Sequence, residues 1–417
     1  MRVAFLVPEL GRSGGAETIR SYASSLGARG VEAELLPASE TAPAAGGEPY
    51  DVAIATWWET AGALWRVPAR RRAVFLQSIE SRFYEEPHFF ERLAAEEVLA
   101  LPVAYVTVAH WIRDLLGALR ADADCEVVLG GIDKSVFAPR SRPPREGPLR
   151  VLVEGQPSMW FKGVPEAVAA VRGMTEPAEL TIVAGQPEDA GDLGGARVVG
   201  GLAPDEMAEL YAGHDVLVKL SRVESLGLGP IEAAHVGTPA VVTPYTGHDE
   251  HLVHGRNGLV VGFDDEPGTA RALDRLARDP ALLARLSDGA LETAGAWPSA
   301  DAAADAFAAV VERIAGGPEP DAGASLAALS VARRRRLELT REHVRQAEAE
   351  LQYARGLRDW FEHAFDDARE HIDGLNRAMR DLEAVLAEKD RLIEDIRSER
   401  AYRAAAAVRR VLLRRGG

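Results

Sequence analysis

A single cysteine, Cys125, stands among 417 residues, which excludes an internal disulfide and suits a reducing compartment. Lysine is almost as scarce. Only Lys134, Lys162, Lys219 and Lys389 occur, against 44 arginines, so each lysine is more informative than usual. No apolar run approaches the ~20 residues that cross a bilayer. The opening stretch Arg2-Val-Ala-Phe-Leu-Val7 is too short for a leader peptide and reads as a first strand. These absences predict a soluble, cytoplasmic protein, with peripheral attachment to the inner face of a membrane left open. The net charge of −16 is unevenly spread: residues 331–417 hold 20 basic and 17 acidic residues, which leaves −19 on residues 1–330. A body that acidic argues against nucleic acid as a partner.

What is present is enough apolar material, 47% of the chain, for two or three domains. Short apolar runs alternate with helical segments, which predicts βα units and parallel sheets. In residues 1–145 the strands read at Arg2–Val7, Val52–Thr56, Ala73–Gln77 and Ala104–Val108. In residues 146–316 they read at Leu149–Glu154, Leu180–Ala184, Val198–Leu202, Asp215–Leu220 and Ala240–Val242. The helix at 300–315 is placed to cross back onto the first half. Residues 317–330, which open on Gly317-Pro-Glu-Pro, read as a linker.

Residues 331–417 read differently. Apolar residues recur at heptad a positions (Leu337, Val344, Leu351, Phe365, Ile372, Met379, Leu386, Ile393) and d positions (Ala347, Phe361, Leu375, Leu382, Ile396), interrupted by Arg358 and Lys389. That pattern predicts a long coiled-coil helix which makes a homo-oligomer through residues 331–400. A helix of ~60 residues is ~90 Å long. Six arginines and no acid in residues 400–417 suggest either contact with an anionic lipid surface or a frayed helical end.

The chemistry concentrates in Ser221-Arg-Val-Glu-Ser-Leu-Gly-Leu-Gly-Pro-Ile-Glu-Ala-Ala-His-Val-Gly-Thr-Pro239. A strand enters it, a Gly-bearing loop carries Glu224, and a helix signalled by Pro230 carries Glu232. Free N–H groups at such a turn suit phosphate, so a carboxylate beside it should serve the hydroxyls of a ribose or sugar. This unit resembles the E-x7-E signature of retaining GT-B glycosyltransferases, the family-four group. The resemblance implies two Rossmann-like doubly wound domains facing a cleft, with an acceptor-side half at 1–145 and a nucleotide-sugar-binding half at 146–316.

It also implies roles. Glu232 would hold the ribose, and Glu224 would be the catalytic carboxylate against the sugar. Gly227 and Leu228 belong to the donor loop, and Gly14-Gly15 lie near the donor phosphates or the acceptor. Lys162-Gly163 matches the Lys-Gly that clamps the donor diphosphate, whereas Gln156 stands where that family has an arginine. Val127-Val-Leu-Gly-Gly-Ile-Asp133 resembles its interdomain segment, followed by a hinge linker at Pro139–Arg145.

Three further positions are candidates: Gln156 itself; Gln77, in a stretch with Glu80 that loosely resembles the rhamnosyltransferase branch or is simply solvated; and His110, which either faces the cleft or caps a helix. His248, His251 and His254 recur every third residue without partners at ligand spacing, so no metal ligand is assigned. No cofactor is implied either. The expected partners are a nucleotide sugar and a glycan or lipid-linked glycan acceptor, probed against a second reading, a catalytically degenerate GT-B scaffold whose coiled coil recruits partners. Gln156 favours the scaffold; the joint presence of Glu224, Glu232 and Lys162 counts against it.

Overall fold

Both sheets that the strand–helix alternation predicts are present, and each is wholly parallel. The computed structural model describes every residue except 9–13, 41–47, 86–87, 141–144, 190, 192, 194, 319–321, 399 and 415–417. The loop preceding Gly14 and most of the hinge at 139–145 therefore lie outside the described residues. Two units separate, Met1–Leu337 and Glu338–Gly417.

The first sheet holds β1 (Arg2–Val7), β2 (Glu32–Pro37), β3 (Tyr50–Ala55), β4 (Ala69–Leu76), β5 (Ala104–Thr107) and β6 (Cys125–Val127), in the order β2-β1-β3-β4-β5-β6. Helices α1 (Gly14–Ala28), α2 (Trp58–Ala61), α3 (Phe89–Val98) and α4 (His110–Leu119) connect the strands. Val3 to Val7 are fully buried, as parallel strands covered on both faces must be. The edge strand β6 ends on Val127, the first residue of the segment read from sequence as interdomain.

The second sheet holds β7 (Leu149–Glu154), β8 (Ala178–Val183), β9 (Arg197–Val199), β10 (Val216–Lys219), β11 (Ala240–Val242) and β12 (Gly258–Val260), in the order β12-β11-β10-β7-β8-β9. Its helices are α5 (Val164–Arg172), α6 (Pro204–Ala212), α7 (Leu228–His235), α8 (Glu266–Arg278), α9 (Pro280–Ala296) and α10 (Ala300–Gly316). Side-chain caps start the last three. Asp265 accepts from Gly268 N at 2.8 Å, Asp279 from Leu282 N at 2.9 Å and Ser299 from Ala302 N at 3.2 Å, satisfying amides that a helix leaves unpaired.

Helix α10 returns to the first sheet. Phe307 is fully buried there, stacked on Tyr22 at 4.3 Å between ring centroids and packed edge-on against Phe75 at 5.6 Å. The chain thus passes twice between the halves, and the two passages run side by side: Ile132 N donates to Pro298 O and Ala300 N to Ile132 O. A Cβ at Gly131 would sit 2.4 Å from Ser299 O, so only glycine lets these strands touch.

Beyond them α11 runs from Ala322 to Ser398 and α12 from Arg400 to Arg414. Helix α11 begins inside the stretch 317–330 read as linker, whose Ala-rich second half favours helix. Its large apolar heptad residues from Leu337 to Ile393 are open to solvent in the single chain, with Phe365 at 69% and Leu382 at 62% exposure.

Candidate functional site

In a doubly wound sheet the ligand crevice opens where strand order reverses, at the carboxyl ends of the strands. In the second sheet that point lies between β7 and β10, which pair directly while their chains continue to opposite sides. Glu154 ends β7 and Lys219 ends β10. The parallel register brings these two ends together although they are 65 residues apart in sequence.

Lys219 is 2% exposed. A lone ammonium so placed costs several kcal/mol, and two carboxylates offset it. Its Nζ donates to Glu154 Oε2 at 3.1 Å and lies 3.2 Å from Glu224 Oε1. Burial pushes Lys219 down, but Glu154 and Glu224 outweigh it and hold the ammonium above its usual range. Glu224 Oε1 also accepts from Lys162 Nζ at 2.8 Å and from Ser221 Oγ at 2.9 Å. Burial alone would raise the Glu224 carboxyl; Lys219 and then Lys162 reverse that and bring it to about 2.

The loop that carries Lys162 reaches this point through Gly163, which has φ of 64° and whose Cβ would lie 2.0 Å from Leu220 O. Backbone pairing of Arg222 N with Phe161 O at 2.8 Å fixes the approach.

Helix α7 begins at a second left-handed glycine. Gly227 has φ of 73°, and a Cβ there would meet the Tyr245 hydroxyl at 2.4 Å. Leu228 follows at the helix start, 37% exposed. Glu232, a turn further on, forms no ion pair among the described residues, although Lys219 pulls weakly on it from a distance. Its Oε2 accepts from the hydroxyl of Tyr211 on α6 at 3.2 Å, and burial, helped by Glu154, pushes it up to about 8.

From the first half, Gln77 follows β4 and its amide oxygen lies 3.3 Å from where a Cβ on Gly15 would be. The Gln77 carbonyl accepts from Ser225 Oγ, next to Glu224. Gly15 and Gln77 thus reach the cleft; Gly14 begins α1. Glu80 is buried, takes the Trp58 amide at 2.6 Å and is pushed up to about 8 by burial, so it is not a solvated side chain.

His110 opens α4 and pairs across the two halves. Its Nδ1 is 2.8 Å from Glu250 Oε2, and Glu250 also accepts the amides of His110 and Trp111. Glu250, on the loop after β11, thereby caps a helix of the other half, and Trp111 Nε1 donates to Ser225 O at 2.6 Å. Gln156 is buried and committed: its amide donates to Gln186 O at 3.2 Å and accepts from Gln186 N at 3.0 Å. The three histidines have backbone partners: His248 Nδ1 lies 2.7 Å from Tyr245 O, His251 Nε2 2.7 Å from Leu226 O, and His254 Nδ1 accepts from Val260 N at 2.9 Å. Among the described residues no group of three or more His, Cys, Asp or Glu is arranged to hold a metal ion, and no helix is long and apolar enough to cross a membrane.

Of the residues expected at the site, Lys162, Glu224, Gly227, Leu228 and Glu232 converge at the switch point. Glu154, Lys219, Tyr211, Glu250 and Trp111 were missed. A signal existed for Lys219, a rare lysine ending an otherwise apolar strand; the others have no local signature.

Residues 150–279 match the family model for glycosyl transferases group 1. The D-inositol 3-phosphate glycosyltransferase of Stackebrandtia nassauensis is 30% identical over 304 residues, covering 64% of this chain and 69% of that one. Among solved structures, sucrose-phosphate synthase from Thermosynechococcus elongatus superimposes with a TM-score of 0.63 at 16% identity, covering 75% of this chain and 99% of that one. Anabaena HepE, solved with UDP and glucose, gives 0.60 at 14% identity over the same shares. These structures carry the fold, GT-B; the sequence matches carry the rest. The chain belongs to the group 1 glycosyltransferases, enzymes that move a sugar from a nucleotide-sugar donor.

Proposed function

We propose that this enzyme transfers its sugar with retention of anomeric configuration, to a glycan or lipid-linked glycan acceptor in cell-surface polysaccharide synthesis. The observation that carries the reading is the Lys162–Glu224 ion pair at the switch point of the second sheet. It sets a cation for the diphosphate beside a carboxylate for the sugar.

In this reading the bond from the sugar C1 to the diphosphate oxygen breaks. Positive charge grows on the sugar ring, and negative charge grows on the leaving phosphate. Lys162 and the α7 N-terminus stabilise the phosphate, while ionised Glu224 stabilises the ring. The acceptor oxygen bonds to C1 from the face the diphosphate leaves, and its proton passes to a phosphate oxygen, so no protein base is assigned. Glu232 holds the ribose. Glu250, by capping α4, sets the acceptor-side half over the donor and helps exclude water.

The test is the anomeric signal of the product by proton NMR, taken before mutarotation: an α-linked product from an α-linked donor supports retention, and an inverted one overturns it. Donor hydrolysis by the purified protein separates this reading from a degenerate scaffold.

The exposed heptad face of α11 is proposed to form a parallel coiled coil, since apolar side chains such as Phe361, Phe365 and Ile372 are left open in the single chain. Cutting after Gly317 is expected to reduce the mass in light scattering to a monomer and to spare donor hydrolysis. A truncated protein that stays oligomeric overturns that assignment. The basic stretch at 400–417 is proposed to contact anionic lipid, which a vesicle-sedimentation assay at two salt concentrations checks.

A further inference from the structure

Resting on the reading above, Lys162 has two tasks that conflict. With no donor present it neutralises Glu224. Once a diphosphate arrives it is required there, and Glu224 is left with whatever else faces it. The groups that do so are Lys219 from β10, Ser221 from its own loop and Tyr245 from the loop after β11, whose hydroxyl is held up by burial and then by Glu224 and Glu154; Glu154, from the end of β7, stands on Lys219. Of these only Lys219 is a cation.

Two features separate the lysines. The Lys162 side chain is 23% exposed and sits on a loop, whereas that of Lys219 is 2% exposed and sits on a central strand between two carboxylates. Lys162 can leave Glu224; Lys219 has nowhere to go. The surroundings are shaped around this second lysine. Glu154 takes its ammonium, and the space that the Glu154 carboxylate occupies exists because position 229 is glycine, where a Cβ would lie 1.8 Å from Glu154 Oε2. Gln156, meanwhile, is held by the Gln186 backbone and supplies no charge.

We propose that Lys219 is a positioning residue of the transfer reaction: anchored by Glu154, it stays on Glu224 when the donor diphosphate draws Lys162 away, so that Glu224 keeps a counter-charge and its place while the sugar cation forms. Lys219 touches neither donor nor acceptor; it acts through Glu224.

The test compares wild type with Lys219→Met and with the pair Glu154→Val plus Lys219→Leu, which removes the cation together with its anchor and leaves Glu224 paired to Lys162 in the empty site. Turnover is followed from pH 4.5 to 9 with UDP-glucose, GDP-mannose and dTDP-rhamnose in turn. With the sugar that wild type uses, kcat is expected to fall at least tenfold in both variants while the donor KM changes less than threefold. The acid limb of the kcat profile should move up by a pH unit or more, because a carboxylate that has lost its cation protonates at higher pH. The double variant carries the result if the single one fails to fold. A folded double variant with the wild-type acid limb and kcat overturns the inference and leaves the donor-site reading standing. A wild type that turns over none of the donors overturns that reading, and this inference with it.

Discussion

The loop after β10 and the helix after that loop each carry one glutamate of the same motif, and the fold treats the two oppositely. Glu224 meets two lysines and a serine hydroxyl and is held at about 2; Glu232 meets a tyrosine hydroxyl and, nearby, another carboxylate, and is pushed up to about 8. Spacing along the chain puts both side chains at one crevice, but the charge each bears is set by what other elements bring. Lys162 comes from the loop after β7, Lys219 from β10 and Tyr211 from α6. A permanently ionised carboxylate suits a developing cation. One that is neutral when the site is empty suits a group that must give up its proton as a ligand arrives.

The largest effect that separates these roles is expected at Glu224. In Glu224→Gln the side chain keeps its shape and loses its charge, so turnover should fall ~100- to 1,000-fold, the scale of removing one preorganised electrostatic group, with a smaller change in donor KM. Steady-state kinetics on the donor that wild type uses decide it; a variant altered only in KM would make Glu224 a ground-state binder and erase the contrast. Next in size is Glu232→Ala. Its loss leaves ribose hydroxyls unpaired in a partly buried site, a cost of ~1–3 kcal/mol, or roughly 5- to 150-fold in nucleoside diphosphate affinity by titration calorimetry. Equal affinities would remove the ribose assignment.

How much of this was legible in sequence depends on whether the information is local. Strands β1 and β7 coincide with their expected limits, because apolar runs are local signals. Edge strand β6, Cys-Glu-Val, has a glutamate at its centre and so offers no apolar run. The juxtaposition of Lys162 with Glu224 could be anticipated only through the resemblance, since the two lie 62 positions apart. Lys219 was visible and scarce, yet ending an apolar run it read as part of a strand; its function depends on Glu154, which register alone delivers. His110 and Gln156 show the converse. Each stands at a position that promises a cleft residue; Glu250 takes Nδ1 of His110, and the Gln186 backbone takes both polar atoms of the Gln156 amide.

The third prediction turns the contrast into a pH profile. If Glu232 must be ionised to accept from ribose hydroxyls, nucleotide binding releases a proton wherever the empty site holds one. Affinity should then rise about tenfold per pH unit below about 8 and level off above it. In Glu232→Gln the rise should vanish. Calorimetry in two buffers of different ionisation enthalpy measures the released proton directly, and no release at pH 7 would show that Glu232 is already ionised.

The smallest effect is on stability, and here the two glutamates should act with opposite signs. Glu224 is held below its ordinary value of 4.5, so the stability it contributes is present above that value and lost as pH falls toward about 2. Glu232 is held above 4.5; what it contributes is full below 4.5 and is lost as pH rises through about 8. Glu80 in the first half has the sign of Glu232. Thermal melts of the ligand-free protein between pH 3 and 9 should therefore show Glu232→Gln flattening the decline on the alkaline side, while Glu224→Gln flattens the decline on the acid side. The shifts expected are a few degrees, since ~1 kcal/mol moves Tm by ~2–4 °C even in a domain of 150–250 residues and by less in a larger body. If both substitutions flattened the same side, the two carboxyls would share one environment, and the opposition drawn between loop and helix would fail.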